Sequence, residues 1–177
     1  KARPGQLNYA SAGVGSPPHV AAALFASMAG IELTHVPYRG TAVAVNDVVG
    51  GQVEVMLMSP TVAVGFVKSG RLRALGISGP VRSPWLPDVP TILETGLTGY
   101  DITCWHGMWF PAGVPAEIVR RVRAEVVKAL AVPQVRKQFV DSFLVPVGSS
   151  PEEFADFVRK EIALQASVMK KIGIEPE

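Results

Sequence analysis

The stretch from residue 7 to residue 29 constrains the fold most, because its pattern is strand, glycine turn, helix. It opens with small and apolar residues that suit a strand, and it closes with an alanine-rich run whose larger apolar residues recur four apart. Gly13 and Gly15 permit positive φ where the backbone has to turn sharply. Ser16 is a favourable helix N-cap, and Pro17 suits the first helical position, where no amide is needed. The stretch therefore predicts the opening unit of an α/β fold.

The same turn is a candidate anion site, because it directs backbone amides and the positive end of a helix dipole at one place. Pro17 and Pro18 have no N–H, and a cap bond from the Ser16 side chain would occupy the amide of His19. A turn with a purely structural role is the alternative that this segment alone leaves open. Neither a dinucleotide fingerprint nor a phosphate-binding loop is present. The groups left for an anion are the amides of Val14, Gly15 and Ser16 and the hydroxyls of Ser11 and Ser16.

Two further units of the same kind follow the first. Strands are predicted at residues 33–38 and 53–58, each turning into a helix of about ten residues, with a fourth strand at 72–77. Strands separated by helices predict a parallel sheet with right-handed crossovers and helices on both faces. Three strands then end in Gly, Ser or Thr turns at the carboxyl edge of the sheet, where α/β folds bind ligands. Because none of these turns contains a carboxylate, the pattern favours an anionic ligand.

The second part of the chain is predicted to be mainly helical, after a loop rich in proline and glycine. Residues 100–110 are aromatic and predict a strand or a crossover segment, in which Trp105 and Trp109 favour an aromatic core over a cleft wall. The sequence from Ser150 to Glu153 is a capping box, which predicts the start of the closing helix. The other predicted elements are a loop at 78–99 with a short helix near 91–94, helices ending at 130, 141 and about 171, and a short strand at 143–147.

Composition and charge exclude several classes of function. The 177 residues, 48% of them hydrophobic, suffice for one core or two small lobes. A net charge of +2 without a basic cluster argues against nucleic-acid binding, and no apolar run approaches the ~18 residues that span a bilayer. The single Cys104 cannot form an internal disulfide. Residue 1 is Lys and no signal peptide precedes it, so we expect a processed chain, a tagged and cleaved one, or a fragment.

The opening string PGQLNYASAGVGSPPHVAAALFASMAGIELTHVPYRG resembles the substrate-binding receptors of tripartite tricarboxylate transporters, the Bug receptors. Later stretches agree with that family in order, among them GGQVEVM, VKSGRLRALGIS, RSPWLPDVPTILETGLTGYDIT, PAGVPAEIV and VGSSPEEFADFVRKEI. The resemblance implies a class II periplasmic-binding-protein fold, with a parallel-rich sheet, helices on both faces and a helical C-terminal return. It also implies a periplasmic receptor that clamps a small carboxylate and delivers it to membrane transporter subunits, without enzyme activity, cofactor or metal.

Two lobes are part of what the resemblance implies. Residues 1–103 correspond to the second lobe, and residues 104–177 to the crossover and the C-terminal part of the first lobe. The N-terminal segment of the family's first lobe has no counterpart in the sequence. An alternative function is therefore an interaction module that forms a homodimer through the surface which that segment would cover.

Family contacts map onto the opening turn and onto the turn after the second strand. Arg39 is the one charge at the three turns and is a candidate partner for a carboxylate, although a solvated role is the alternative. Tyr38 either hydrogen-bonds a ligand oxygen or closes the core, and for His19 a capping or packing role is favoured. Many relatives carry an acidic or amide residue where Ser59 stands, so we expect a changed ligand preference. The predicted ligand-binding residues are Ser11, Ala12, Gly13, Val14, Gly15, Ser16, His19, Tyr38, Arg39, Gly40, Thr41 and Ser59.

A Ser/His hydrolase is the competing enzyme hypothesis. Ser16 and His19 are three residues apart, and either Asp47 or Asp101 is a candidate third member of a triad. A cap serine followed by two prolines is poorly placed to use that histidine as a base. The Gly-x-Ser-x-Gly elbow and metal-type spacing of His, Cys and Glu are both missing from the sequence. Solute binding is therefore the favoured interpretation.

Overall fold

The computed structural model describes residues 4–173 of the chain. Contacts divide the chain into two compact units: one contains the residues up to 104 together with those from 165 onward, and the other contains residues 105–164. The strands are β1 (Asn8–Ser11), β2 (Thr34–Pro37) and β3 (Val55–Met56). The helices are α1 (Pro17–Ala29), α2 (Thr41–Val49), α3 (Pro60–Lys68), α4 (Ala116–Ala131), α5 (Pro133–Asp141) and α6 (Pro151–Lys171).

The three strands form one parallel sheet in the order β2-β1-β3. Ser11 at the end of β1 pairs with Pro37 at the end of β2, and Ala10 pairs with Met56 at the end of β3. Each strand is followed by a helix, as predicted. Since all three strands run the same way with β1 in the centre, their carboxyl ends meet at one edge of the sheet. The predicted α/β fold with a parallel sheet is confirmed.

Side chains of β1 alternate between the two faces of the sheet, and each face is covered by a helix. Ala10 is fully buried in a cluster with Ala44 of α2 and Val53, where small side chains let the helix approach the sheet closely. The opposite face presents Tyr9, which is 4% exposed and lies on the side of α1. Helices on both faces leave the carboxyl edge as the open rim of this unit.

A second core cluster packs α1 against the rest of its unit. Tyr100 is fully buried with Val20, Leu24 and Val168, and its hydroxyl donates a hydrogen bond to the Ala21 carbonyl at 3.0 Å. Burial raises the pKa of this phenol, which stays neutral. Val168 lies in the last turns of α6, and this part of the helix belongs to the first unit. The assignment of residues 1–103 and 104–177 to two lobes stays a prediction.

Helix boundaries follow the capping chemistry of the sequence. α1 has proline at its first two positions and ends at Gly30, whose φ of 59° is the left-handed cap that glycine adopts without strain. The capping box of α6 forms in both directions, from the Ser150 amide to Glu153 Oε2 at 2.8 Å and from the Glu153 amide to Ser150 Oγ at 3.1 Å. These hydrogen bonds lower the pKa of Glu153.

Two predicted strands are wrong. Residues 72–77 form no ladder, and only Ile77 makes an isolated bridge to Thr91. Residues 143–147 are not extended as a strand because Phe143 has φ of 60° and the Leu144 amide returns to the Phe139 carbonyl at 2.9 Å, which closes the end of α5. Residues 100–110 also lack strand structure, in keeping with the crossover alternative. The short helix predicted near residues 91–94 is a 3-10 turn over Leu93–Thr95.

The second unit has an aromatic cluster and two helices with little burial. Trp105 packs edge-on against Phe154 and Phe157, with ring centroids 5.6 and 5.3 Å away, and its indole N–H donates to Glu161 at 3.1 Å. Trp109 joins the cluster and is still 65% exposed. In the described part of the chain, the helices are all too short or too polar to cross a lipid bilayer.

Candidate functional site

Three turns meet at the carboxyl edge of the sheet: residues 12–16 after β1, residues 38–40 after β2 and residues 57–59 after β3. The first two are in van der Waals reach of each other, because a Cβ built on Gly13 would lie 3.5 Å from the Tyr38 carbonyl oxygen. The third follows β3, which is hydrogen-bonded to the other side of β1. The sheet therefore brings together the three corners that the sequence analysis singled out.

The first turn is held by hydrogen bonds among its own residues and with the flanking Ser11 and His19. The Gly13 amide donates to Ser11 Oγ at 3.1 Å, the Ser16 amide donates to the Gly13 carbonyl at 3.2 Å, and the Gly15 amide donates to His19 Nδ1 at 3.0 Å. The Ser16 hydroxyl donates to the Gly13 carbonyl at 2.6 Å. The predicted cap bond from Ser16 to the His19 amide is therefore wrong, because that hydroxyl faces back into the turn.

The amide of Val14 in this turn and that of His19 at the start of α1 stay available for an anion. Within residues 4–173, the N–H groups of Val14 and His19 have no acceptor. Val14 is at the tip of the turn with its side chain 71% exposed, and Ala12, Gly13, Gly15 and Ser16 are half-buried. Of the three amides predicted for ligand contact, the turn itself uses those of Gly15 and Ser16.

Ser11 supports the turn from beneath. Its side chain is fully buried, and its Oγ lies 3.0 Å from the Gly13 carbonyl oxygen and 2.6 Å from His35 Nε2. A hydroxyl with these partners and no exposed surface has no free position for a ligand oxygen. We therefore assign Ser11 to supporting the turn, and not to the ligand contact that the sequence analysis predicts.

The second turn positions the start of α2. Gly40, its N-cap, has φ of 116°, a conformation that side-chain-bearing residues rarely adopt. The Tyr38 hydroxyl donates to Asp47 Oδ2 at 2.7 Å, and this hydrogen bond raises the pKa of the Tyr38 phenol. The phenol proton is therefore used within the protein. The neighbouring Arg39 is exposed and free to turn toward an anion at this edge.

The N-terminus of α2 is the better-exposed donor group. The amides of Thr41, Ala42 and Val43 have neither a side-chain cap nor, within the described residues, another acceptor, and the first intrahelical bond begins at Ala44. The sequence analysis named Thr41 and missed the other two. The sequence did contain a signal for them. The N-cap Gly40 has no side chain and no proline follows it, whereas the other two helices have a serine N-cap followed by proline.

The third corner presents two hydroxyls. Ser59 Oγ and Thr61 Oγ1 are 2.6 Å apart, and Thr61 is exposed. The Ser59 carbonyl accepts from the amides of Val62 and Ala63 at 3.0 Å, and the Thr61 amide has no acceptor in the part of the chain that the structure describes. None of the three helices has an acidic residue in its first turn. The helix dipoles at this edge therefore act on a ligand without a competing carboxylate.

Beneath the first turn, three rings form a stack that the sequence analysis did not foresee. His19 and His35 are parallel within 5° with centroids 3.9 Å apart, and Tyr9 stacks on His35 at 4.9 Å. Burial lowers the pKa of His19, and burial together with the charge of His19 lowers the pKa of His35 to about 4. Only the β1–β2 register, which pairs Tyr9 with His35, reveals this contact.

The residues of the hydrolase hypothesis lie in other contacts. Ser16 bonds to Gly13 and His19 accepts from Gly15, so the two do not form a nucleophile–base pair. Asp47 accepts from Tyr38. Asp101 accepts from a threonine two residues along the chain. Among residues 4–173, no group of three or more His, Cys, Asp or Glu side chains is arranged to hold a metal ion.

The hydrogen bond between Tyr38 and Asp47 gives a prediction for this site. Tyr38→Phe and Asp47→Asn each remove one side of it, so we expect each to lower the urea midpoint of unfolding modestly and by a similar amount. The double variant should be about as stable as either single variant, because the two changes remove one shared interaction. Additive losses in this cycle would show that the hydroxyl and the carboxylate are not coupled. Carboxylate affinity of Tyr38→Phe should change little, since the phenol proton faces Asp47.

Comparison with known proteins adds independent information. The sequence profile described as "Tripartite tricarboxylate transporter family receptor" matches residues 1–174. Among curated sequences, the chain is 43% identical over 159 residues to the UPF0065 protein in the tcbD-tcbE intergenic region of Pseudomonas sp. strain P51, a match that covers 89% of this chain and 47% of that relative. The chain thus spans about half the length of this relative.

Solved structures agree with the sequence comparison. The R. palustris protein Rpa4515, solved with adipate, superimposes with a TM-score of 0.89 at 32% identity, covering 99% of this chain and 59% of the other. The periplasmic binding protein BugD superimposes with a TM-score of 0.86 at 30% identity, covering 99% and 60%. The periplasmic-binding-protein fold predicted from the resemblance is confirmed by these superpositions.

Proposed function

Because the chain belongs to the tripartite tricarboxylate transporter receptor family, we propose that it captures a small carboxylate and presents it to the membrane subunits of such a transporter. The observation that carries this proposal is the carboxyl edge of the sheet. Three helix N-termini meet there, their first turns contain no acidic residue, and several of their amides have no acceptor within the described residues. Such an edge favours an anion and disfavours a cation.

One carboxylate group would bind between the first and second turns. The Val14 amide donates from one side, and the amides of Thr41 to Val43 donate from the other. Arg39 adds an exposed positive charge, and the hydroxyls of Ser59 and Thr61 line the third corner. Hydrogen bonds to an ionised carboxylate are about twice as strong as those between neutral groups, so a few correctly placed amides suffice. The opposing lobe of a two-lobed receptor would fix the other end of the ligand.

A dicarboxylate is the ligand class that we favour. The R. palustris relative was solved with adipate, a flexible chain with a carboxylate at each end. The carboxyl edge of the sheet would bind one of these two carboxylates, which sets no preference for the length of the chain between them. We place the protein in the periplasm by its likeness to the periplasmic binding protein BugD.

We propose that binding proceeds without chemical conversion of the ligand. The structurally similar BugD is a binding protein. Within the described residues, the close serine–histidine pair at the edge is Ser11 with His35, and the fully buried Ser11 hydroxyl offers no surface to a substrate. The exposed groups at the edge are amides, hydroxyls and a guanidinium, which bind and orient a carboxylate.

Calorimetry and thermal shift on the full-length protein test the proposal, with adipate as the probe and its neutral diamide, adipamide, as the matched control. A ligand that binds only the folded state stabilises it by about 2.7 kcal/mol at one hundred times its dissociation constant. We therefore expect a rise of several degrees in melting temperature with adipate or another small dicarboxylate, and none with adipamide. Equal responses to acid and diamide, or no response to any mono-, di- or tricarboxylate, would reject a carboxylate site.

Light scattering addresses the homodimer alternative. The comparisons give it no support, and the exposed apolar side chains of the second unit do not identify a partner. We expect the full-length protein to be a monodisperse monomer. An obligate dimer without carboxylate binding would favour the interaction-module hypothesis instead.

A further inference from the structure

The stacked histidine pair lies directly beneath the turn that we assign to the carboxylate. His19 Nδ1 accepts a hydrogen bond from the Gly15 amide at 3.0 Å, and His35 Nε2 lies 2.6 Å from Ser11 Oγ. Ser11 in turn contacts both the amide and the carbonyl of Gly13, at 3.1 and 3.0 Å. The two glycines are thus connected to different imidazoles of the pair: Gly15 directly to His19, and Gly13 through Ser11 to His35.

The hydrogen bonds fix the protonation state of His19. A backbone N–H always donates, so Nδ1 of His19 must carry a lone pair, and its ring proton must be on Nε2. A second proton on Nδ1 would place two donors face to face at Gly15. The fold therefore requires neutral His19 for this turn.

The surroundings of both rings favour the neutral imidazole over the charged one. His19 is 7% exposed, and a charge on one ring of a pair 3.9 Å apart opposes a charge on the other. The facing titratable group from β1 is Tyr9, whose phenol stays neutral because burial raises its pKa. One histidine belongs to α1 and the other to β2. Within the described chain, no carboxylate contributes to either pKa shift.

We propose that His19 and His35 are positioning residues, which as a neutral stacked pair hold the Gly13–Ser16 turn in the shape that receives a carboxylate. The proposal rests on the proposed function of this edge. It implies that protonation of the pair disrupts the Gly15–His19 hydrogen bond and withdraws the Val14 amide from the site. Carboxylate affinity then falls as the medium becomes acidic, although an added positive charge alone would raise it.

The sign of the pH effect follows from the direction of the shifts. Both pKa values lie below the ordinary value of about 6.5. The neutral pair, and the turn that it holds, is therefore complete above about pH 6.5 and is lost as the pH falls through the lowered pKa values. For His35 this means a midpoint of about 4.

Two variants separate the hydrogen bond from the ring. His19→Asn keeps an acceptor, because Asn Oδ1 is bonded to Cγ as Nδ1 is, but it does not titrate. His19→Phe keeps an aromatic ring for the stack and removes the acceptor. With adipate as the probe, we expect His19→Asn to bind within about threefold of the natural protein at about pH 7.5, and His19→Phe to bind at least about tenfold more weakly.

The pH profile is the readout that a merely structural role would not move. Between about pH 7.5 and 4 we expect the natural protein to lose at least about twofold more affinity than His19→Asn does, because the histidine pair is partly protonated at the lower pH whereas Asn does not titrate. Adipate's own ionisation affects both proteins equally and cancels in this comparison. Parallel pH profiles of the two proteins, or a His19→Phe variant with full affinity, would overturn the proposal.

A measurement without ligand keeps the proposal separate from the proposed function. In the NMR spectrum of the ligand-free protein, the Gly15 amide resonance should move with pH along with the His19 imidazole signals, and His19→Asn should abolish this movement. If the resonance does not follow His19, the positioning role fails even where adipate binds. If it does follow and adipate does not bind, the carboxylate function fails and the turn–histidine coupling stands.

Discussion

Replacing Gly15 with valine is expected to abolish carboxylate binding, with a loss of about one hundredfold or more. Gly15 has φ of 74° and follows Val14 in the first turn. Side-chain-bearing residues pay roughly 1–2 kcal/mol in this left-handed region, and a β-branched residue pays more. Beyond the two neighbours of Gly15, no heavy atom of the described chain lies within 4 Å of a Cβ built on it, so backbone strain, rather than a clash inside the protein, would move the turn and its Val14 amide. Calorimetry of the full-length protein with adipate measures the loss.

Gly51→Val is the matched control for this prediction. Gly51 has a similar φ of 77° and an equally open Cβ position, and it follows α2 at the end opposite to the site. We expect a comparable loss of stability there with adipate affinity unchanged. Unchanged affinity in Gly15→Val would reject the site assignment. An equal loss of affinity in Gly51→Val would show that general destabilisation explains the effect.

Replacing Tyr100 with alanine is expected to have the largest effect on stability, about 3–5 kcal/mol. Tyr100 is fully buried against Val20, Leu24 and Val168, and its ring also meets Phe25 edge-on at 6.0 Å between centroids. Truncation would leave a cavity between α1 and the end of α6 and would remove the hydrogen bond to the Ala21 carbonyl. Urea unfolding with an unchanged slope is the measurement, because a shift of midpoint then reports stability alone.

Tyr100→Phe isolates the hydroxyl from the ring. It keeps the packed ring and removes one buried hydrogen bond, so we expect a loss of only about 1 kcal/mol. A truncated variant as stable as the phenylalanine variant would mean that the ring is not packed as described. Because α1 begins at the first turn, Tyr100→Ala should also weaken adipate binding, whereas Tyr100→Phe should leave it nearly intact.

The local units of the fold were predictable from short-range chemistry. The proline and glycine positions bounded α1, and the capping box of Ser150 and Glu153 forms as the sequence indicated. α5 covers Pro133–Asp141, the predicted range. These features depend on neighbours within one helical turn, which a single sequence displays.

Strand prediction failed where a partner was required. Residues 72–77 have the composition of a strand, but a strand exists only if another strand offers its hydrogen bonds, and here Ile77 alone finds a bridge. β3 is paired over only Val55–Met56, although six residues had the pattern. At residues 143–147 the positive φ of Phe143 ended the extended conformation. Because strand pairing is a long-range property, composition alone predicted more strand residues than the sheet contains.

For the candidate site, the sequence indicated the three corners, and the structure decided which donors remain. Ser11 and the Gly15 amide were predicted to meet a ligand, yet both bond to histidines within the fold. Ala42 and Val43 were overlooked, and their amides have no acceptor among residues 4–173. An amide's availability depends on every acceptor near it, including those from distant parts of the chain.

The sequence by itself determined a succession of strand–turn–helix units and an edge without carboxylates, because both are written in the order and charge of neighbouring residues. Only the tertiary structure decided that His35 lies under the first turn, 24 positions along the chain from Ser11. The reason is the pairing of β1 with β2, whose register sets Tyr9 beside His35 and so brings one imidazole onto the other. Which hydrogen bonds hold the turn, and which are left for a carboxylate, follows from that register.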